Sequence, residues 1–183
     1  MIMTVAELRQ FVTTDETDQA LEARLSALEL LIRAYTNNNF QVRAFRAVAV
    51  ASADKTLLCG ATVPFKVGDT LQITESLLQQ NALVTVAAVS GDTVTVNEEL
   101  YDESGVVITK VVYPMDVKLG VANMLKWQYS NGDKVGVQSE TISRHSVTYF
   151  NMDGDNSTMG FPKSLTGFLK PYMKARFGQG LRL

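Results

Sequence analysis

The sequence predicts an α+β chain: a small helical bundle interrupted by an inserted all-β lobe, either a small barrel or a curled sheet. Three observations carry this. Apolar residues recur at helical spacing near the N-terminus, from 114 to 130 and after Pro162. Between about 41 and 112, alternating β-branched residues are broken by frequent turn signals. Charge divides at nearly the same places: residues 1–46 carry net −1, residues 47–112 net −5 and residues 113–183 net +4. The expected organisation is a helical core of residues 1–46 and 113–183, with an extended arm and a C-terminal tail, and an inserted β domain of residues 47–112.

Taken in order, Thr4 is placed to cap a short helix from Val5 to about Val12, which Thr13–Asp18 interrupts with turn and capping residues. A longer helix is expected from about Asp18 to Thr36. Leu21, Leu25, Leu28, Ile32 and Tyr35 step by four and three along it and form one stripe. Glu29 and Arg33, four apart in the favourable order, suit an exposed face. Asn37-Asn38-Asn39 should stop the helix, since Asn tolerates the left-handed conformation that ends helices.

In the β segment, Thr70–Thr74 alternates after the Gly68-Asp69 turn, and Ala82–Val89 reads as a strand. Gly91-Asp92 then joins it to Thr93-Val94-Thr95-Val96, a two-residue hairpin signal. Gly105 precedes a last strand, Val106–Val112, for five or six short strands in all. Pro114 suits the first position of the next helix, and Asp116 suits the positive end of its dipole. Val117, Val121, Met124 and Leu125 line one side, and Asn131-Gly132 ends it. Residues 135–150 read as extended and Asn151–Gly160 as a loop. Pro162 opens a final helix to about Lys174, which Pro171 bends or ends. Gly178–Leu183 has the composition of a flexible tail.

Composition removes whole classes of function. Of the 183 residues, 46% are hydrophobic and 20% charged, so a wholly disordered chain is excluded. A net charge of −2 gives no general basis for nucleic-acid binding. The longest purely apolar run, Ala47–Ala51, is far below the roughly 20 residues of a membrane span. Met1–Glu7 has neither a basic nor an apolar leader region, so no signal peptide is expected. The single Cys59 cannot form an internal disulfide and suits a reducing cytoplasm.

No catalytic constellation emerges, and the chain is expected not to be an enzyme and to need no metal or cofactor. His145, the one histidine, is flanked by Arg144 and Ser146, and no Gly-x-Ser-x-Gly elbow accompanies it. It reads as a surface histidine, and Cys59 as a small buried hydrophobe. The loop from Asn151 superficially matches a calcium loop. Its sixth and twelfth positions are Asn156 and Pro162, where that motif requires Gly and Glu. Glu98-Glu99 and Asp102-Glu103 read as solvated turn residues. The basic C-terminus has two readings. Its cations suit a helix end and a solvated tail, or they belong to an arm that docks on another protein, because Tyr172, Phe177, Leu181 and Leu183 are interleaved with them.

Three separated segments look familiar together: Ile32–Phe40 (IRAYTNNNF), Val137–Tyr149 (VQSETISRHSVTY), and Pro162 followed by Leu169–Phe177 (LKPYMKARF). Their order and spacing resemble the head–tail connector proteins of long-tailed bacteriophages and prophages, also called adaptor or head-completion proteins. The resemblance covers roughly residues 18–46 and 113–177. It implies a structural virion protein of the neck, made in the host cytoplasm. Such a subunit joins a homo-oligomeric ring, a dodecamer, between the capsid portal and the stopper or tail-completion protein. DNA would pass through the channel without sequence-specific binding, and no membrane is involved. Residues 47–112 are then an insertion found in some relatives. Lys170, Tyr172, Lys174, Arg176, Phe177 and Leu181 become the candidate portal contacts, with Tyr172 and Phe177 as apolar anchors. The alternatives are a small nucleic-acid-binding module, which the acidic β segment disfavours, and a small hydrolase, which the lone histidine disfavours.

Overall fold

The computed structural model describes residues 1–132, 139–142, 145–148 and 156–175. Two compact units are present: Met1 with Asn39–Tyr113, and Ile2–Asn38 with Pro114–Leu183.

The first unit is a six-stranded antiparallel sheet: β1 (Gln41–Ala49), β2 (Ala51–Leu58), β3 (Thr70–Thr74), β4 (Leu83–Ser90), β5 (Thr93–Glu103) and β6 (Val106–Val111). The spatial order is β1-β6-β3-β4-β5-β2. β1 and β2 lie at opposite ends of that order, so of the two expected forms the closed barrel is excluded and the sheet is open. Every strand contributes to one apolar cluster, through Ala49, Leu57, Leu71, Ile73, Val84, Val86, Val94, Val96, Val106 and Ile108. No helix lies in this unit, so a single sheet can dry such a cluster only by curling around it. The Gly91-Asp92 hairpin forms with Ser90 opposite Thr93, and Gly91 takes φ +63°, the left-handed value this tight turn requires.

Two expectations about this segment change. Residues 41–46, grouped with the helices by charge, begin strand β1. Glu98, Glu99, Asp102 and Glu103 are not turn residues but belong to β5, which continues seven residues beyond Val96. Glu98 accepts the Thr85 backbone N–H at 2.8 Å, so a carboxylate here does what a strand partner's carbonyl would do.

The second unit is helical. Thr4 and Glu7 form a reciprocal capping box on α1 (Val5–Leu8), which is shorter than expected. Arg9 braces the following loop, donating to the carbonyls of Thr14 and Glu16 and pairing with Asp18 at 2.6 Å. The next helix, α2, runs Asp18–Thr36, capped by Thr17, and Asn37 closes it in the left-handed conformation at φ 50°. Glu29 and Arg33 are buried rather than exposed, 3% and 8% accessible. The buried arc of α2 is wider than the leucine stripe: it takes in Leu21, Leu25, Leu28, Glu29, Ile32, Arg33 and Thr36. Thr36 returns its hydroxyl to the Ile32 carbonyl at 2.7 Å, which satisfies it inside that arc.

Pro114 is the N-cap of α3 (Met115–Asn131) rather than its first helical residue. Its ψ of 155° is extended, and its missing N–H falls where no intrahelical acceptor exists. Beyond α3, β7 (Ser139–Ile142) and β8 (His145–Thr148) pair antiparallel as a separate two-stranded sheet, with Ile142 opposite His145. A minimal pair, β9 (Ser157–Thr158) and β10 (Phe161–Pro162), follows, and Phe161 packs edge-on against Trp127 at 5.8 Å. The expected helix 163–174 is instead one α-turn, α4 (Lys163–Thr166), continued by a 3-10 helix, Gly167–Tyr172. Pro171 lacks the N–H that a continuing α-helix would use, so the chain tightens and then leaves in extended form at Met173. Among the described residues, no helix is long and apolar enough to cross a membrane.

Candidate functional site

The C-terminal closing segment contains the described members of the sequence-derived site, Lys170, Tyr172 and Lys174. Hydrogen bonds tie it to the end of α2. Asn38 Nδ2 donates to the Tyr172 carbonyl at 3.0 Å, and Asn37 Nδ2 to the Ala175 carbonyl at 2.9 Å. The Lys174 N–H donates to the Thr36 carbonyl at 2.8 Å. That last bond satisfies one of the carbonyls a helix C-terminus leaves unpaired. The Asn run therefore has a second use beyond stopping α2: its amides hold a segment more than 130 residues away in sequence.

Tyr172 is the pivot of the segment. Its hydroxyl donates to the Asp116 carboxylate, with oxygens at 2.8 and 2.7 Å. Asp116 also accepts the Val117 N–H at 2.9 Å in the first turn of α3. The bond to Asp116 is the main reason the phenol is pushed above the ordinary tyrosine range, with burial second. Tyr172 thus latches the segment to α3, while Lys170, Met173 and Lys174 point to solvent. Leu169 is fully buried beneath them. Arg176, Phe177 and Leu181 lie outside the described residues. Met173, 50% exposed, and the latch residues Asp116 and Asn38 also belong to this junction; by sequence alone Asp116 suits only the helix dipole and Asn38 only the helix stop.

Other groups singled out in the sequence are placed as follows. Cys59 is buried, and burial pushes its thiol up, with the Asp92 charge adding to the shift. A thiol held protonated is a poor nucleophile. His145 lies in β8, directly across from Ile142. Asn151–Asp155 of the calcium-like loop lie outside the described residues. Among the described residues, no group of three metal-ligating side chains converges. One compact polar cluster joins Glu16 with Arg24 and Tyr129. Arg24 forks onto both Glu16 oxygens at 2.7–3.1 Å, and the Tyr129 hydroxyl donates to the same carboxylate at 3.0 Å. Arg24 is the chief cause that holds Glu16 below the ordinary carboxylate range. This pairing braces the start of α2 and leaves the carboxylate no freedom to act as a base.

No family model matches the chain, and no curated protein matches it. Among solved structures, the chain is similar to the tailspike protein gp49 from Pseudomonas phage LKA1. The identity is 26%, over 36% of this chain and 14% of that one, with a TM-score of 0.30.

Proposed function

We propose that the chain is a non-enzymatic structural virion protein, a head–tail connector that forms a ring between the capsid portal and the stopper or tail-completion protein. The observation that carries this reading is the hydrogen bonding between two of the three connector-like segments. Ile32–Phe40 and Leu169–Phe177 are far apart in sequence, yet Asn37 and Asn38 in the first hold the carbonyls of Ala175 and Tyr172 in the second. A connector subunit needs a firmly held base from which a C-terminal segment reaches an axial partner, and this junction supplies one. Lys170 and Lys174 stand exposed at it, as steering cations. In this reading Phe177 and Leu181 are the apolar anchors, and Tyr172 sets the direction of exit.

The test is a portal-binding measurement with the purified chain and with a variant lacking residues 177–183. Full-length protein should bind purified portal and add a ring to it in negative-stain images. The truncated protein should fold with an unchanged circular dichroism spectrum and fail to bind. Truncated protein that binds portal at full-length affinity would overturn the assignment of the arm. Full-length protein that shows no affinity for portal would overturn the connector reading itself.

A further inference from the structure

The helix α2 presents an apolar strip to solvent. Leu30 is 64% exposed, and Ala23 and Ala27 are exposed beside it. They recur at helical spacing on the side opposite the buried Leu21, Leu25, Leu28 and Ile32. The charge at the strip is acidic. Glu22 is exposed next to Ala23 and forms no ion pair among the described residues. The other charges of α2 are engaged or buried: Asp18 pairs with Arg9, Arg24 pairs with Glu16, and Glu29 and Arg33 are inside. An exposed leucine by itself needs no explanation. The place of this one does, because the C-terminal segment is fastened at the head of the same strip.

Asn37, Leu30 and Ala23 are each one heptad apart, so they stand nearly in line along α2, drifting by only about 20° per heptad. The Asn37 amide holds the Ala175 carbonyl at 2.9 Å, which puts the end of the closing segment at the head of this line. That segment already runs against α2 as it arrives, since Tyr172 meets Asn38 and Lys174 then meets Thr36. Continued, the same course takes Arg176–Leu183 down the strip. Their chemistry matches it: Phe177, Leu181 and Leu183 are apolar, Arg176 and Arg182 are cations, and no acid is among them. Their reach matches it too. At about 1.5 Å per residue, Leu30 lies about 10 Å from Asn37, Ala23 about 21 Å and Glu22 about 22 Å. An extended chain rises about 3.3 Å per residue, which carries Phe177 about 7 Å from Ala175, Leu181 about 20 Å and Arg182 about 23 Å. Phe177 falls short of Leu30 by less than the length of its own side chain.

We propose that Arg176–Leu183 fold back along the exposed strip of α2 in the same chain, with Phe177 over Leu30, Leu181 over Ala23 and Ala27, and Arg182 paired with Glu22. The occupant is the chain's own segment because it is already tethered at the head of the strip. A tether this short gives an effective concentration on the order of millimolar, an advantage no separate molecule has. Few side chains are covered, so the contact is weak and reversible. It needs neither a ring nor a portal. In the connector reading it is the resting position of the arm, from which portal draws it away.

Disulfide trapping within one chain tests it. The native Cys59 is buried, so A23C/L181C and L30C/L181C each add two reactive thiols. Both helix positions are exposed, so the variants should fold. A docked segment holds position 181 beside Ala23, whereas a free one meets Leu30 more readily, because Leu30 is nearer the Asn37 anchor. In dilute protein under mild oxidation, A23C/L181C should close within the monomer about tenfold faster than L30C/L181C. Adding R182E should slow that closure about threefold, and E22K with R182E should restore it. Equal rates, or faster closure of L30C/L181C, would overturn the docked segment. Disulfide-linked dimers in place of closure within the monomer would give the strip to a second copy and overturn it as well. Closure indifferent to R182E would overturn the pairing with Glu22. Portal takes no part in this measurement, so a failure here leaves the connector reading standing, and a failure to bind portal leaves this contact standing.

Discussion

Gly120→Ala in α3 sets two known effects against each other, and the structure decides the sign. Helix propensity alone favours alanine by about 1 kcal/mol in a helix interior. At Gly120, however, the added Cβ would lie 2.3 Å from two atoms of the Phe168 ring and 2.6 Å from a third. Ordinary contact begins at 3.4 Å, so the ring must retreat by about 1.1 Å. Phe168 cannot do so freely, because it sits on the 3-10 helix one residue before the fully buried Leu169. Overpacking of this kind costs about 1–3 kcal/mol, and three simultaneous clashes put it in the upper half. The net is a loss of about 1–2 kcal/mol. For a unit of order 100 residues this lowers the thermal midpoint by roughly 5–10 °C, followed by circular dichroism at 222 nm. The double variant G120A/F168A should then be no less stable than F168A, since the clash has no second partner. A midpoint that rises in G120A would refute the reasoning and show that the ring moves aside at little cost.

Two further outcomes follow from the polar contacts. Glu7, Glu16 and Glu103 are each held below the ordinary carboxylate range, chiefly by the Thr4 N–H, Arg24 and the Ser76 hydroxyl respectively. Stability from these groups is complete above the unfolded glutamate value of about 4.3 and is lost as pH falls through the lowered folded values. The thermal midpoint should therefore hold from pH 7 to 5 and fall below it; a midpoint that rises on acidification would contradict this. Tyr172→Phe removes the latch to Asp116, so the Lys174 amide, bonded to Thr36, should exchange its hydrogen about fivefold faster. Unchanged exchange there would show that the hydroxyl does not hold the segment.

The parts of the fold that were legible in the sequence are those decided locally. The limits of α2 coincide with their expected residues because Thr17 and Asn37 are chemical stops, each acting within one turn. The β4–β5 hairpin was legible for the same reason: Gly91-Asp92 leaves one register open. The strand order was not, because β6 pairs with β1 and β3 across dozens of residues and no short pattern encodes which alternating run finds which. Polar residues were read least well. Glu29 and Arg33 matched an exposed ion pair by spacing, yet tertiary packing buries that side of α2. Glu103 looked like a solvated turn acid and proves to be the keystone of the Leu77–Leu78 loop, a role defined only once β5 lies beside residues 76–79.

Tyr172 shows how the same gap affects the candidate site. Interleaved aromatic residues and cations single out this segment, and composition alone points to an outward anchor. Nothing in the segment itself could have shown that the phenol meets Asp116, 56 residues earlier and at the head of another helix. A tyrosine with its hydroxyl committed inside its own subunit gains nothing for a partner by offering that hydroxyl. Its ring is only partly exposed, and Leu169 beneath it is inaccessible. Its physical contribution is to direction: with Asn37 and Asn38 it determines where the chain leaves α2, and so where residues beyond Ala175 begin. Substituting Tyr172 would then weaken partner binding by loosening the exit, and Phe in its place would retain the ring packing that an alanine would lose. In the proposed connector the apolar contact falls to residues past Ala175, and Met173, a large exposed apolar side chain of the closing segment, is placed to extend it.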